Sequence, residues 1–208
     1  MVAGIIVLIS LICVGNVSIF ADNTYIKNIF SNGNNKILNP EIKSNSENGH
    51  FYNIQYIIDK SGFKKAPEFA QITGYINTKP ITLADLNGKV VLVHFWTFDC
   101  INCKHTIPYL NNWYQKYAGK NFAIISIHSP ELGFEKNIDN VKAAVQKYGI
   151  KYPVLQDNNF GTWNAYGNQY WPRDYLIDTQ GFIRYDHVGE GDYDKTEKTI
   201  QSLLSEGT

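Results

Sequence analysis

The chain has 208 residues, of which 44% are hydrophobic, so it can bury one sizeable core and still carry an N-terminal appendage. The 19 Lys and Arg residues balance the 19 Asp and Glu residues. This neutrality excludes the basic field that a nucleic-acid or acidic-lipid surface requires, and nucleic acid is not expected as a partner.

Residues 1–21 form a hydrophobic segment. Residues 2–20 contain no charged side chain and match the length of a helix that crosses a bilayer. A cleaved signal peptide would leave a mature start after Ala21, but such peptides normally open with a Lys or Arg cluster, which this segment lacks. An uncleaved anchor, or the last span of a longer membrane protein, fits better. Under each interpretation the remaining chain is exported, and we expect it to be periplasmic and tethered to the membrane.

Residues 22–65 are rich in Asn, Ser, Gly and Lys, which predicts a partly disordered tether. Within it, residues 51–59 are apolar enough to form a strand. The folded domain is predicted over residues 66–205. It opens at residues 69–83, where two short β-prone runs are interrupted, which predicts an N-terminal β-hairpin.

The sequence pattern of the rest of the domain predicts an α/β fold. Two continuous apolar runs, residues 90–96 and 122–128, are typical of strands covered on both faces. Helical spacing of apolar residues and the turn residues between them extend the order to β-α-β-α-β-α-β-β-α. The parallel crossovers in this order predict a mixed sheet with helices on both faces.

Two of the three cysteines, Cys100 and Cys103, form a Cys-x-x-Cys pair directly after the first apolar run, while Cys13 lies in the hydrophobic segment. A structural zinc site needs a second ligand pair, which is missing unless folding brings His94 and His105 nearby. A purely structural disulfide would close a loop too short to remove much unfolded-state entropy.

A redox-active pair needs a buried strand followed by a short turn and a helix, and the sequence predicts all three around the two cysteines. Free N–H groups and the helix dipole at the helix N-terminus stabilise a thiolate on Cys100, which is the species that attacks a disulfide. Cys103, one turn further along, would resolve the mixed disulfide, so that the pair cycles between dithiol and disulfide.

Several motifs carry a resemblance to a known family. FWTFDCINCKHTIPYL, KPITLADLNGKVVLV, the SPELGFEKN region and TWNAYGNQYWPRDYLID resemble the TlpA-like branch of the thioredoxin superfamily, most nearly the extracytoplasmic thioredoxin domain of DipZ-type proteins. The resemblance implies a thioredoxin fold and thiol-disulfide exchange with Cys100 as the nucleophile. It also implies that a CcdA-like membrane protein supplies electrons.

The family pattern assigns further positions. Pro108 matches the helix-kinking proline after the redox pair, and Pro172 matches the cis-proline that faces the cysteines and helps bind substrate. His94 departs from the pattern, because thioredoxins usually hold a buried aspartate six residues before the first cysteine. A neutral imidazole could accept the proton of the resolving thiol, or His94 could be a core histidine hydrogen-bonded to the backbone.

Asp99 stands directly before Cys100, and its charge is expected to oppose thiolate formation. At about 6 Å in a near-bulk dielectric the repulsion is roughly 0.7 kcal/mol, and the helix terminus contributes about 0.3–1 kcal/mol in the other direction. The two nearly cancel, so Cys100 is expected to be only mildly acidic, which favours a reductant over a strong oxidant.

Other residues are candidates for a place at the site. Glu131 and Glu135 match acidic positions of DipZ-like domains and are predicted as proton carriers, or else belong to a solvated loop. Trp96 and Trp171 are predicted to touch the redox site and to contact a partner peptide, although aromatic residues at such positions are more often core.

The leading hypothesis is an exported, membrane-tethered thiol-disulfide oxidoreductase that reduces protein disulfides. Apocytochrome c, a periplasmic oxidoreductase and misoxidised proteins are all candidate substrates, and no cofactor or resident metal is expected. The alternative is a thioredoxin-fold module that binds or delivers copper through the two thiols and a histidine. A third possibility is an inert fold that retains a structural disulfide.

Overall fold

The computed structural model describes residues 36–44 and 52–206, with side chains from Lys60 to Glu206. The predicted hydrophobic segment lies outside the described residues, as does most of the predicted tether. The chain divides into two units, Met1–Gly62 and Phe63–Thr208. In the described part of the first unit, strands β1 (Lys36–Ser44) and β2 (Tyr52–Asp59) pair antiparallel. The strand predicted over 51–59 is therefore present. None of the helices in the described ranges has the length and apolarity needed to cross a membrane.

The second unit contains a six-stranded mixed sheet with the order β3-β6-β5-β4-β7-β8. The central pairs β4/β5 and β5/β6 are parallel, whereas β3/β6, β4/β7 and β7/β8 are antiparallel. The strands are β3 (Gly74–Ile76), β4 (Val90–Trp96), β5 (Phe122–His128), β6 (Val154–Gln156), β7 (Arg173–Ile177) and β8 (Ile183–Val188).

Four α-helices connect or follow these strands within the described residues, in the predicted order. They are α1 (Ile101–Lys116), α2 (Ile138–Lys147), α3 (Gly161–Ala165) and α4 (Tyr193–Glu206). Pro108 lies inside α1, where it lacks the N–H that would pair with the carbonyl of Lys104. Two short 3₁₀ helices, Ala84–Leu86 and Gly133–Lys136, precede β4 and α2.

Strand β4 is buried along its whole length because both faces of the sheet are covered. Val90, Leu92 and Trp96 face one apolar cluster, to which α1, α2 and α4 contribute. The alternate residues of β4 face a second cluster, which includes α3 and the segment before β4. This two-sided burial explains why the sequence of β4 is continuously apolar, as expected for a central strand.

The prediction of a β-hairpin over residues 69–83 is wrong. Only residues 74–76 form a strand there, and this strand pairs with β6. After it the chain turns at Asn77, which has a positive φ of 61° and whose side-chain amide donates to the carbonyls of Ile150 and Tyr152. These bonds hold the segment against the loop that leads into β6, so it does not fold back on itself.

Candidate active site

The two cysteines lie where β4 ends and α1 begins. Cys100 is the N-cap of α1, with an extended backbone, and its Sγ accepts a hydrogen bond from the backbone N–H of Cys103 at 3.2 Å. The sequence placed Cys100 in the first turn of the helix, whereas the structure places it at the cap itself. A sulfur at this position receives the N–H groups that a helix terminus leaves unpaired. Both residues are free thiols.

The surroundings of Cys100 lower its pKa to about 6. The hydrogen bond with the Cys103 side chain is the largest cause, burial opposes it, and backbone N–H groups of Cys103 and Asn102 lower the pKa further. Asp99 and the helix terminus alone predict a milder effect on the pKa of Cys100. The missing contribution is the neighbouring thiol, which donates to the Cys100 thiolate.

Cys103 has the opposite environment. It is wholly buried in the cluster that packs on β4. Burial raises the pKa of its thiol far above the ordinary value, and the hydrogen bond to Cys100 and the charges of Cys100 and Asp174 add to this effect. The pair therefore consists of one acidic, half-buried thiol and one buried thiol that keeps its proton.

An acidic residue that opposes the Cys100 thiolate is Glu131. Glu131 is exposed, and its charge raises the pKa of Cys100 as the smallest of the contributions. Asp99 is also exposed, and its carboxylate pairs with Lys104 Nζ at 3.3 Å. The predicted role of Asp99 as a brake on thiolate formation stays a prediction, and the pairing with Lys104 weakens it.

Glu135 holds the loop beside the cysteines in place. Its side chain is completely buried, and its two oxygens accept four hydrogen bonds. The Thr97 hydroxyl and the Asp99 N–H donate to one oxygen, and the N–H groups of Glu131 and Leu132 donate to the other. The sequence grouped Glu135 with Glu131 as acidic loop residues, but only the tertiary structure separates the buried member from the exposed one.

His94 is buried on β4 and its Nδ1 lies 2.7 Å from Oδ1 of Asp174, a buried residue of β7. The two residues are direct partners in the β4/β7 register. The hydrogen-bonding partner of His94 is therefore a carboxylate and not the backbone. No local pattern in the sequence indicates Asp174, since 80 residues separate it from His94.

The three residues predicted to bind substrate lie in different environments. The Trp171-Pro172 bond is cis, as predicted, and the buried Pro172 accepts a hydrogen bond at its carbonyl from the N–H of Gly189. Trp171 is half-buried, and its Nε1 donates to the carbonyl of Ser129. Trp96 shares a cluster with Cys103 but has no exposed surface, so a peptide cannot contact it in this conformation.

The two histidines considered as metal ligands are engaged elsewhere. His94 is bonded to Asp174, and Nδ1 of the exposed His105 lies 2.7 Å from Oε2 of Glu190. Between Lys60 and Glu206, no group of three His, Cys, Asp or Glu side chains is close enough to hold a metal ion.

The domain combines a Cys-x-x-Cys pair at the N-terminus of a helix, a buried central strand that precedes this helix, and a cis-proline directly before β7, which neighbours that strand. These features define a class. The domain is a thioredoxin-like thiol-disulfide oxidoreductase. A family model described as AhpC/TSA family matches residues 63–186, and the chain belongs to this family.

Similar proteins agree with this class. Protein DipZ of Mycobacterium tuberculosis (strain CDC 1551 / Oshkosh) is 47% identical over 144 residues, which cover 68% of this chain and 21% of DipZ. Thiol-disulfide oxidoreductase ResA of Bacillus anthracis is 32% identical over 140 residues, covering 67% of this chain and 77% of ResA.

A solved structure agrees as well. The thiol:disulfide interchange protein, thioredoxin family protein, from Chlorobium tepidum TLS superposes with a TM-score of 0.58 at 25% identity, covering 68% of this chain and 97% of that one. The predicted thioredoxin fold and the predicted resemblance to DipZ are thereby confirmed.

Proposed function

We propose that the domain reduces protein disulfides on the extracytoplasmic side of a membrane, is tethered there by the N-terminal hydrophobic segment, and receives electrons from a CcdA-like membrane protein. The asymmetry of the cysteine pair carries this proposal. Cys100 is half-buried with a pKa lowered to about 6, whereas Cys103 is enclosed and its pKa is raised. An accessible nucleophile and a sheltered resolving thiol are what a two-step exchange needs.

In the first step the Cys100 thiolate attacks one sulfur of the substrate disulfide. A bond forms between Cys100 and that sulfur, the substrate disulfide breaks, and the second substrate sulfur leaves as a thiolate that takes up a proton. In the second step Cys103 loses its proton to a base and attacks Cys100. The Cys100–Cys103 disulfide forms, and the first substrate sulfur leaves. Two electrons have passed to the substrate, and the CcdA-like donor restores the dithiol.

The acidity of Cys100 supports a reducing role. A pKa of about 6 is closer to the value of about 7 found in thioredoxin than to the value of about 3.5 found in the oxidant DsbA. The more firmly a nucleophile is held as a thiolate, the more stable the reduced form and the stronger the oxidant. The relative ResA, whose name describes a thiol-disulfide oxidoreductase, supports the same chemistry.

A polypeptide substrate is supported by the surface beside Cys100. A cleft of about 440 Å³ adjoins the loop that carries the cysteines. Next to it, Phe134 is 50% exposed and Ile101, the residue after Cys100, is 61% exposed. The lining of the cleft combines aromatic rings with charged groups: Phe98, Asp99, Lys104, Phe134, Lys147 and Tyr148. Exposed apolar side chains around a redox pair favour an unfolded or extended protein partner.

The proposal is tested by trapping. Cys103→Ser, expressed with the full chain in cells, should accumulate mixed disulfides between Cys100 and substrate proteins, and Cys100→Ser should accumulate none. Recovery of these adducts in the membrane fraction would support the tether. Accumulation of the wild-type Cys100–Cys103 disulfide when a CcdA-like protein is deleted would support the donor. If Cys103→Ser trapped only small thiols, the domain would not act on proteins. A parallel titration with Cu(I), in which copper but not a disulfide substrate required Cys103, would favour the copper-binding alternative.

A further inference from the structure

The buried pair of His94 and Asp174 lies on the side of the sheet that carries Cys103. Side chains alternate along β4, so His94 faces the same way as Leu92 and Trp96, which pack in one cluster with Cys103. The charge of Asp174 also acts on Cys103, where it adds to burial and to the Cys100 hydrogen bond in raising the pKa of the thiol. The histidine and the carboxylate thus share one side of the sheet with the resolving cysteine, within range of the charge of Asp174.

The hydrogen bond between the two residues fixes which nitrogen of His94 carries the proton. An ionised carboxylate can only accept, so Nδ1 of His94 donates its N–H to Oδ1 of Asp174 across 2.7 Å. In the neutral ring Nε2 is then an acceptor with a free lone pair. Nε2 is buried and has no hydrogen-bond partner among the described residues. A buried polar atom left in this way calls for a functional explanation.

We propose that Asp174 is a positioning residue that holds His94 as the base for Cys103. This deepens the proposed function and rests on it. Asp174 sets the tautomer of His94, aims Nε2 toward the resolving thiol, and stabilises the imidazolium that forms when the proton arrives. The aspartate that thioredoxins place at position 94 is replaced by a histidine whose carboxylate partner comes from β7.

The proton transfer completes the second step of the exchange. The S–H bond of Cys103 breaks as its proton moves to Nε2 of His94, and the electron pair stays on the Cys103 sulfur. That thiolate attacks Cys100, the new disulfide forms, and the bond between Cys100 and the substrate sulfur breaks. The departing substrate thiolate takes a proton from the imidazolium or from water, which returns His94 to its neutral form.

Other titratable groups face the pair. His187 on β8 is the register partner of Asp174, and its Nδ1 lies 3.7 Å from Oδ2 of the exposed Asp192. The charge of Asp174 also reaches three tyrosines whose pKa values are raised chiefly by burial, so they stay neutral near neutral pH: Tyr152, Tyr185 and Tyr193. On the other side of His94, its register partner on β5 is the buried Ser126. His187 is therefore the one further histidine among these groups, and it requires a control.

The two chemical steps can be separated with an aromatic disulfide such as Ellman's reagent. Attack by Cys100 releases the first coloured thiolate, and resolution by Cys103 releases the second, so both rates come from one stopped-flow trace. We expect Asp174→Asn to slow the second release by about 100-fold and to change the first by no more than about twofold, because only the second step uses the base. The second rate should also lose its inflection near neutral pH.

A double-mutant cycle distinguishes positioning from general damage. If Asp174 acts through His94, then Asp174→Asn adds little to the effect of His94→Gln, because the group it serves is already absent. Full additivity, or a normal pH profile of the second release in His94→Gln, would overturn the proposal. Asp186 is a surface carboxylate on β8 that pairs with Arg173. Asp186→Asn is therefore the matched control and should leave both rates unchanged.

Further measurements separate the role of His94 from that of His187, and the two-step exchange from the role of Asp174. His187→Gln should preserve the inflection of the second release, and its disappearance there would assign the base to His187 instead. If Asp174→Asn proves unstable by thermal unfolding, His94→Gln and its pH profile decide alone. A wild-type protein that releases only one thiolate would overturn the two-step exchange itself, whereas two normal releases with unchanged variants would overturn only the role of Asp174.

Discussion

Cys100 and Cys103 are neighbours at the start of α1, yet their surroundings differ in nearly every respect. Cys100 lies at the loop edge of the domain, where helix N–H groups and the second thiol stabilise its negative charge. Cys103 lies on the buried side of the helix, in the apolar cluster that packs on β4, and the charge of Asp174 acts on it. Backbone geometry creates the first environment, and side chains from distant strands create the second.

This contrast shows how one fold assigns different tasks to two identical side chains. A thiol that meets the substrate must be ionised before the substrate arrives, so its stabilising groups are permanent donors. A thiol that acts second must remain protonated until the mixed disulfide has formed, so burial suppresses its charge and a base has to be at hand.

Removing the Glu135 carboxylate should have the largest effect. Glu135→Ala leaves the buried Thr97 hydroxyl and three backbone N–H groups without their acceptor, and we expect a loss of about 3–5 kcal/mol in the free energy of unfolding. Denaturant unfolding followed by fluorescence measures it. Glu68→Ala is the matched control, because Glu68 also accepts three backbone N–H groups but is exposed, and it should cost much less. Equal losses would show that burial of Glu135 does not matter.

Removing the Cys103 thiol should return the pKa of Cys100 toward its ordinary value. Since the hydrogen bond from Cys103 is the largest cause of the low Cys100 pKa, Cys103→Ala should raise that pKa from about 6 toward the ordinary value of 9.0. The rate of iodoacetamide alkylation against pH reports the change. Cys103→Ser retains a hydroxyl donor and should give an intermediate value. If Cys103→Ala alkylated with the wild-type pH profile, the helix terminus alone would account for the acidity.

The stability of the reduced protein should depend on the Cys100 thiolate. The folded-state pKa of about 6 lies below the ordinary value of 9.0, so between these pH values the unfolded chain binds a proton that the folded chain has released. This contribution to stability is complete above pH 9 and is lost as the pH falls through 6. Unfolding under reducing conditions should show it in the wild type and not in Cys100→Ser. A constant difference between the two proteins across this range would contradict it.

The smallest expected effect concerns the two acidic residues near Cys100. Glu131→Gln should lower the Cys100 pKa by a fraction of a unit, because the opposing charge is removed, and added salt should abolish the difference. Asp99→Asn should leave it unchanged, since Lys104 already pairs with Asp99. The same alkylation profiles measure both variants. A larger change in Asp99→Asn than in Glu131→Gln would restore the interpretation drawn from the sequence.

Features that depend on neighbours along the chain were predictable. The continuous apolar run at 90–96, the helical spacing after Cys103 and the turn before β8 led to the observed element order. The resemblance carried by the quoted motifs indicated the cis bond at Pro172. The hairpin expected at 69–83 failed, because short β-prone runs do not show whether they pair with each other or with a distant strand such as β6.

The amino-acid sequence by itself determined the redox pair, because a buried strand, a turn and a helix N-terminus are local features that place two thiols in reach of each other. Only the tertiary structure decided what surrounds them. The register of β4 against β7 brings Asp174 to His94, and the loop after β5 folds Glu135 inward while leaving Glu131 in solvent. These contacts join residues tens of positions apart, and their existence depends on how the packed sheet aligns its strands, which local patterns of polarity do not specify.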